Sequence, residues 1–337
     1  MNSPLYSPIK LPGYTIPGNI FLAPLAGYTD KAFREICLSY GASFTYTEMV
    51  SAEAIARENV KTLTLMERAP DEELLGIQIF LSEPDQAQRA LPRLLQYKPS
   101  LIDINCGCPV PKVIKTGAGA ALMRTPQRLY EIVKSCTDNT DIPITVKIRS
   151  GWDDSSLNYR EVAQAAVEAG VSMIGLHART RAQGYSGPAS WDHIRDLAHT
   201  LKVPVIGSGD LFSPKDAADM LTFTGCSGVM FARGAIGNPA IFRDARFYLE
   251  QHGKSMEAEL HTDGFERLGI GHRHLLKAVE YKGERIGCKE MKKHLGAYTK
   301  GLPDGSSLRN RLMRCSTVAE YENVLGEYMR KYPTLKG

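Results

Sequence analysis

The sequence of 337 residues predicts an α/β chain, a (β/α)8 barrel followed by a smaller all-helical segment. Three observations lead there. Between Asn19 and about Gln251, eight short β-branched apolar runs alternate with longer stretches whose apolar residues recur at three- and four-residue spacings. Eight strands with crossover helices in roughly 230 residues is the size of a closed parallel barrel. After His252 the alternation stops and only helical patterns follow.

In chain order, strands are expected at Ile20–Ala23, Ser43–Thr47, Leu75–Phe80, Leu101–Asn105, Ile144–Ile148, Met173–His177, Val203–Gly207 and Gly228–Phe231. Helices are expected at Asp30–Tyr40, Pro84–Gln96, Pro126–Thr137, Tyr159–Ala169, Trp191–Thr200, Ser213–Thr224 and Ile241–Gln251. A doubly wound open sheet competes with the barrel. Its dinucleotide fingerprint is missing, because Gly207-Ser208-Gly209 lies at the seventh strand and lacks the third glycine. The expected division is a barrel over residues 1–252 and a helical domain over 253–337, with a linker around Gly253–Gly264.

With 43% apolar and 23% charged residues the chain can bury a core and is not of the disordered class. No run approaches the ~18 apolar residues of a membrane span. Met1 to Gly18 holds a single lysine and no apolar core, unlike a secretory signal. Seven scattered cysteines, an odd number, fit a reducing compartment better than a disulfide framework, so a cytoplasmic protein is expected. Charge is uneven. Ser255 to Gly337 carries 15 Lys+Arg against 11 Asp+Glu, which is the whole net charge of +4. Such a surplus suits a polyanion, and equally a solvated helix face.

Period-two phase sorts the strand residues by face. Gln78 opposes Ile77 and Ile79; Asp103 and Asn105 oppose Ile102 and Ile104; Thr145 and Lys147 oppose Ile144, Val146 and Ile148; Gly175 and His177 oppose Ile174 and Leu176. One inward polar residue is commonly a satisfied core group. Four successive strands with polar residues near their C-terminal ends, where barrel enzymes keep their chemistry, favour a site.

Two loops suit a phosphate. Gly207-Ser208-Gly209-Asp210 follows the seventh strand and Ala232-Arg233-Gly234 the eighth, the pair that most often holds phosphate in barrels. Glycines admit close backbone N–H groups, and Arg233 can donate two parallel hydrogen bonds. Across the mouth, Ala23-Pro24-Leu25-Ala26-Gly27 offers small residues to a flat ring. A phosphate end, a flat platform, and Gln78 and Lys147 between them describe a pocket for flavin mononucleotide: an amide for the pyrimidine edge, an ammonium for charge at N1/O2.

Asp103-Ile104-Asn105-Cys106-Gly107-Cys108-Pro109 leaves the fourth strand through a turn that projects a thiol over the mouth. Cys-x-Cys invites a metal, but no two further clustered ligands accompany it, and no metal is expected. An ordinary thiol is largely protonated near neutrality and can act as general acid or as nucleophile. Cys106, beside the strand, reads as a small buried hydrophobe, and Cys108, in the turn, as the chemical residue.

Together with Pro24-Leu25-Ala26-Gly27-Tyr28-Thr29-Asp30, Thr47-Glu48-Met49, Lys147-Ile148-Arg149-Ser150-Gly151, His177-Ala178-Arg179-Thr180-Arg181 and Arg233-Gly234-Ala235-Ile236-Gly237-Asn238-Pro239, this segment resembles the tRNA-dihydrouridine synthases, most closely the bacterial B type. The resemblance covers roughly Ile20 to Tyr248. It implies an FMN enzyme of the TIM-barrel fold that reduces the C5–C6 bond of selected uridines with electrons from NADPH. It implies flavin contacts from Pro24, Leu25, Ala26, Gln78 and Lys147, with His177 as flavin or substrate ligand, and a phosphate end built of Ser208, Gly209, Asp210, Ala232 and Arg233. Cys108 falls on the family's catalytic acid, which gives C5 its proton after hydride from flavin N5 reaches C6. Asn105 and Arg179 are expected on the substrate side. The sequence departs from the family pattern at Ser208, where Asn is common, at Ala232, where Gly is common, and at Cys106, where Met or another non-thiol is usual.

Lys282, Arg285, Lys289 and Lys292 recur at three- and four-residue intervals and are expected to form one basic helical stripe for the RNA backbone. The partner expected is tRNA, with ribosomal RNA as the alternative, and neither DNA nor membrane; the chain is expected to be a monomer. Two rival readings remain open here: an FMN barrel acting on a free pyrimidine, which leaves the basic C-terminal quarter without a purpose, and a non-catalytic RNA-binding protein.

Overall fold

The computed structural model describes residues 4–251 and 263–333. Eight parallel strands, β1 (Ile20–Leu22), β2 (Thr45–Tyr46), β3 (Leu75–Phe80), β4 (Leu101–Cys106), β5 (Ile144–Arg149), β6 (Met173–His177), β7 (Val205–Ser208) and β8 (Gly228–Phe231), pair in the order β1-β8-β7-β6-β5-β4-β3-β2. Leu22 N–H donates to the Phe44 carbonyl at 2.9 Å and Ser43 N–H to the Ile20 carbonyl at 2.8 Å, which joins β1 to the segment entering β2 and closes the barrel. Each strand lies within two residues of its expected ends.

Seven helices form the outer ring: α1 (Lys31–Ser39), α2 (Pro84–Leu94), α3 (Pro126–Thr137), α4 (Tyr159–Glu168), α5 (Trp191–Thr200), α6 (Pro214–Thr224) and α7 (Ile241–Glu250). Local chemistry starts them where the spacing predicts. Asp30 accepts from Phe33 N–H at the start of α1, Ser213 and Asp216 cap α6 reciprocally, and α2, α3 and α6 begin with proline, whose missing N–H costs nothing there. After β2, where no crossover helix is expected, the chain forms a short strand, Val50–Ser51, which pairs with β3, and two short helices, Ala52–Ala56 and Val60–Thr64.

The strands' two faces go to two cores, as period two requires. Ile77, Ile79, Ile102, Ile104, Ile144, Val146 and Ile148 pack outward against the helices. Each is fully buried, worth roughly 1.5–3 kcal/mol. The opposite face begins with an apolar layer of Phe21, Phe44, Tyr46, Leu101, Met173, Ile206 and Met230. An antiparallel hairpin, Ile9–Leu11 with Tyr14–Ile16, covers this layer with Ile9, Leu11 and Ile16. That hairpin has no counterpart in the sequence reading. Gly76 lets the layer close, since a Cβ there would lie 2.6 Å from the Tyr46 ring.

Four further helices, α8 (Gly264–Lys282), α9 (Glu284–Tyr298), α10 (Gly305–Leu312) and α11 (Val318–Lys331), gather Leu268, Leu275, Met291, Leu295, Leu312 and Tyr321 into a separate core that also takes in Ile36 of α1. At the joint with the barrel, Phe33 stacks on His274 at 5.2 Å, and Tyr28, in the loop after β1, meets His294 edge-on at 5.2 Å. The expected linker and the division at 252/253 fall largely on residues 252–262, outside the described residues. No helix among the described residues is long and apolar enough to cross a membrane.

Candidate active site at the barrel mouth

The C-terminal strand ends open into a cleft of about 470 Å³. Pro24, Leu25 and Ala26 line it from the loop after β1, Gln78, Asn105, Lys147 and His177 from β3 to β6, Ser208, Gly209 and Asp210 from the seventh strand end, Ala232 and Arg233 from the eighth, and Cys108 from the turn after β4. Residues drawn from seven strand ends thus meet in one space: the period-two phase turns Gln78, Asn105, Lys147 and His177 inward, and the loops after the strands bring the rest over them. Cys106 keeps the outward phase of Ile102 and Ile104 and is fully buried among the helices, so the two thiols address different surroundings.

A chain of hydrogen bonds rises into the cleft from the layer below it. Asp103 accepts from Thr145 Oγ1 at 2.6 Å and from Gln78 Nε2 at 2.7 Å; Gln78 Oε1 accepts from Asn105 Nδ2 at 2.9 Å; Asn105 Oδ1 accepts from Cys108 N–H at 2.9 Å and Gly107 N–H at 3.3 Å. Burial pushes the Asp103 carboxyl up to about 6, against these hydrogen bonds and the charge of Lys147. Burial, with Arg149 beside it, brings the Lys147 ammonium down to about 8, with Asp103 opposing. Lys147 makes no hydrogen bond or ion pair among the described residues. His177 is held neutral, well below its usual range, first by burial and then by Lys147, Arg149, Arg179 and Arg233. Burial raises the Cys108 thiol, more than the Val110 N–H and the charge of Arg149 lower it, so it stays protonated at neutral pH.

The two loops at the far end need their glycines. Gly209 has φ +128°, and a Cβ on Gly234 would stand 2.2 Å from the Leu211 carbonyl. Arg233 lies between the rings of Tyr185 at 4.4 Å and Phe212 at 5.4 Å, and reaches Asp210 at 3.5 Å.

Two expected substrate or RNA contacts are differently placed. Arg179 is buried at 3% exposure and does not line the cleft; its guanidinium grips both oxygens of Asp210 at 2.7 and 2.8 Å and the Gly187 carbonyl. It braces the loop after β7, with Nη1 left buried and without a hydrogen-bond partner. The four-residue basic stripe is interrupted. Lys282 ends α8, Gly283 turns with φ +76°, and α9 starts afresh at Glu284. Lys282 bonds Asp30 and Glu290, while Arg285, Lys289 and Lys292 remain together on α9, the first two exposed.

Arg149, Tyr185, Phe212 and Glu48 were not anticipated as site residues. Arg149 continues the inward phase of Thr145 and Lys147 by one more step, a signal present in the sequence. It lines the cleft and donates to the Gly107 carbonyl at 2.8 Å and the Thr180 carbonyl at 3.0 Å. Glu48, whose carboxyl burial pushes up, accepts from Gly27 N–H and so pins the loop after β1. Tyr185 and Phe212 come from irregular loops and carry no periodic signal.

The chain matches the family described as Dihydrouridine synthase (Dus) over residues 21–332. It is 44% identical over 338 residues to a Treponema pallidum (strain Nichols) protein named "Probable tRNA-dihydrouridine synthase", covering 95% of this chain and 96% of that one. To the tRNA-dihydrouridine synthase B of Vibrio parahaemolyticus it is 36% identical over 301 residues, covering 89% and 92%. Among solved structures, histamine dehydrogenase from Rhizobium sp. 4-9 aligns with a TM-score of 0.55 at 15% identity, over 86% of this chain and 51% of that chain, a likeness of fold.

Proposed function

The chain belongs to the dihydrouridine synthase family, and from that premise we propose that it reduces selected uridines of tRNA to 5,6-dihydrouridine, with bound FMN and with NADPH as the source of electrons. The observation that carries the reading is the convergence in one cleft of a protonated thiol, Cys108, an unpaired ammonium, Lys147, and a glycine-built cationic end around Gly209 and Arg233.

The residues present fit the cofactor. Three cations, Lys147, Arg149 and Arg233, line the cleft, as suits an anionic ligand, and they act on the buried His177 from there. Pro24, Leu25 and Ala26 would lie against the flat ring, Gln78 and Lys147 at its polar edge, His177 beside them, and Ser208, Gly209, Asp210, Ala232 and Arg233 around the phosphate. Bound there and reduced, FMN would supply the two electrons, as a hydride, that no side chain of this protein can.

The chain's own contribution is position and a proton. Lys147 opposes the negative charge that accumulates at the ring edge. Cys108 donates the proton to C5 of the uracil, and its thiolate is then reprotonated from solvent. Asn105 and Arg149 hold the turn that carries it. The uracil must leave its stack to reach the cleft, so RNA has to be gripped elsewhere as well. Arg285, Lys289 and Lys292 on α9 supply cations for that grip. In this reading the barrel over residues 1–252 does the chemistry, the helical domain over 253–337 docks RNA, and the protein works as a cytoplasmic monomer.

Mapping dihydrouridine in total RNA from cells with and without this protein tests the reading. Loss of the base from defined tRNA positions is expected; loss from ribosomal RNA alone would reassign the substrate, and no loss would overturn the proposal.

A further inference from the structure

The chain of hydrogen bonds between Asp103 and Cys108 has a direction. An ionised carboxylate only accepts, so Gln78 must turn its Nε2 toward Asp103. Its Oε1 then faces Asn105, whose Nδ2 is thereby drawn inward, leaving Asn105 Oδ1 to take the backbone N–H groups of Gly107 and Cys108. Every amide in the series is polarised the same way. Neither Gln78 nor Asn105 can flip without setting donor against donor at one end. With Asp103 bonded, Gln78 keeps one N–H and one carbonyl lone pair to offer outward, the complement of a pyrimidine edge.

We infer that Asp103 is a positioning residue for both halves of the reaction site: through Gln78 it fixes what the amide presents to the cofactor, and through Gln78 and Asn105 it holds the turn that carries the Cys108 thiol. Asp103 itself does not line the cleft. It sits one layer below, in register with Thr145 and Gln78, at 3% exposure. A buried acceptor in this place is costly to remove, because the Gln78 amide hydrogen and the Thr145 hydroxyl then lose their partner together. The cofactor half rests on the flavin reading above; the thiol half stands on the apoprotein alone.

The seven cysteines supply the test. Cys108 is only partly buried and the other six are buried, so alkylation of the flavin-free protein, followed by peptide mass mapping, reads the Cys108 turn separately from general loosening. Asp103→Leu removes the acceptor at similar size; Asp103→Asn keeps an oxygen for Gln78. In Asp103→Leu, Cys108 is expected to react about fivefold faster, the scale of one broken hydrogen bond, with the six buried thiols unchanged. FMN should bind at least about tenfold more weakly, with an altered visible spectrum of the bound flavin. Asp103→Asn should restore most of both. If Asp103→Leu does not fold, Gln78→Ala should accelerate Cys108 alkylation in the same way, although residue 78 makes no contact with the thiol.

Unchanged Cys108 reactivity in a folded variant would overturn the inference, as would equal damage in Asp103→Asn and Asp103→Leu. Faster alkylation of all seven thiols would also overturn it, by reducing Asp103 to a fold residue. Wild-type protein that cannot bind FMN at all would instead defeat the flavin reading, and the alkylation result would still decide the thiol half.

Discussion

Lys282, the last residue of α8, bonds the carboxylate of Asp30, the residue that caps the first turn of α1. The contact ties the C-terminal helices to the loop after β1, whose Pro24, Leu25 and Ala26 line the cleft. Its charge is therefore spent on holding the two parts together. Burial alone would raise the Asp30 carboxyl, but Lys282, with His274 and the Phe33 N–H, outweighs it and brings the group down to about 2.

The sign of the consequence follows from linkage. A carboxyl with a lower pKa folded than unfolded adds stability above its unfolded pKa of about 3.9, lost as pH falls toward 2. The contribution is about 2 kcal/mol near neutrality and roughly half of that at about pH 3. Lys282→Met should destabilise the protein by roughly 2–4 kcal/mol in urea titrations near pH 7, since it leaves Asp30 buried and unpaired. The penalty should shrink at about pH 3. An equal penalty at both would show that the pair contributes by packing alone.

Lys147 predicts a pH dependence of the opposite kind. Its folded pKa of about 8 means the ammonium is present below that pH and lost above it. FMN affinity, followed by flavin fluorescence in protein reconstituted at each pH, should therefore weaken as pH rises past about 8. Lys147→Met should bind more weakly below about pH 8, approach wild type above it, and so lose that step. A wild-type profile without a step would remove Lys147 from the cofactor's charge balance.

For RNA, replacing Arg285, Lys289 and Lys292 together by Ala should weaken tRNA binding and reduce the slope of log K against log salt by about 0.7 to 0.9 for each phosphate that is no longer neutralised. FMN binding should be unaffected. The expectation excludes Lys282, whose replacement acts through stability. A folded triple variant with the wild-type slope would leave these residues as a solvated face and direct attention to the exposed Lys112 and Lys115 at the barrel mouth.

The barrel was legible because two periodicities coincide along the chain: period two put Gln78, Asn105, Lys147 and His177 on one face, and three- and four-residue spacing put the helices outside it. The cleft followed from that phase and from the glycines at 209 and 234. Partnerships across loops were not legible. Arg179 sits in a loop motif beside His177, and nothing in its neighbours marks Asp210, 31 residues on, as the group it grips. Lys282 shares the spacing of Arg285, Lys289 and Lys292, but Gly283 adopts positive φ and breaks the helix between them, so periodicity counted across a turn misassigned one cation. The N-terminal hairpin was hidden for another reason. Its three-residue strands are too short to show a period, and it forms because the barrel's lower layer of Phe21, Phe44 and Met230 needs a cover.

One single-turnover measurement tests whether this cleft passes electrons to a uracil while Cys108 supplies the proton. Protein reconstituted with FMN is reduced by NADPH without oxygen, then mixed with tRNA lacking dihydrouridine, and flavin reoxidation is followed together with dihydrouridine formed. One dihydrouridine is expected for each flavin reoxidised, with a rate lower by about 10²- to 10⁴-fold in Cys108→Ala and little changed in Cys106→Ala, FMN reduction being intact in both. Reduced flavin that persists in the presence of tRNA, or a Cys106→Ala variant slower than Cys108→Ala, would contradict it.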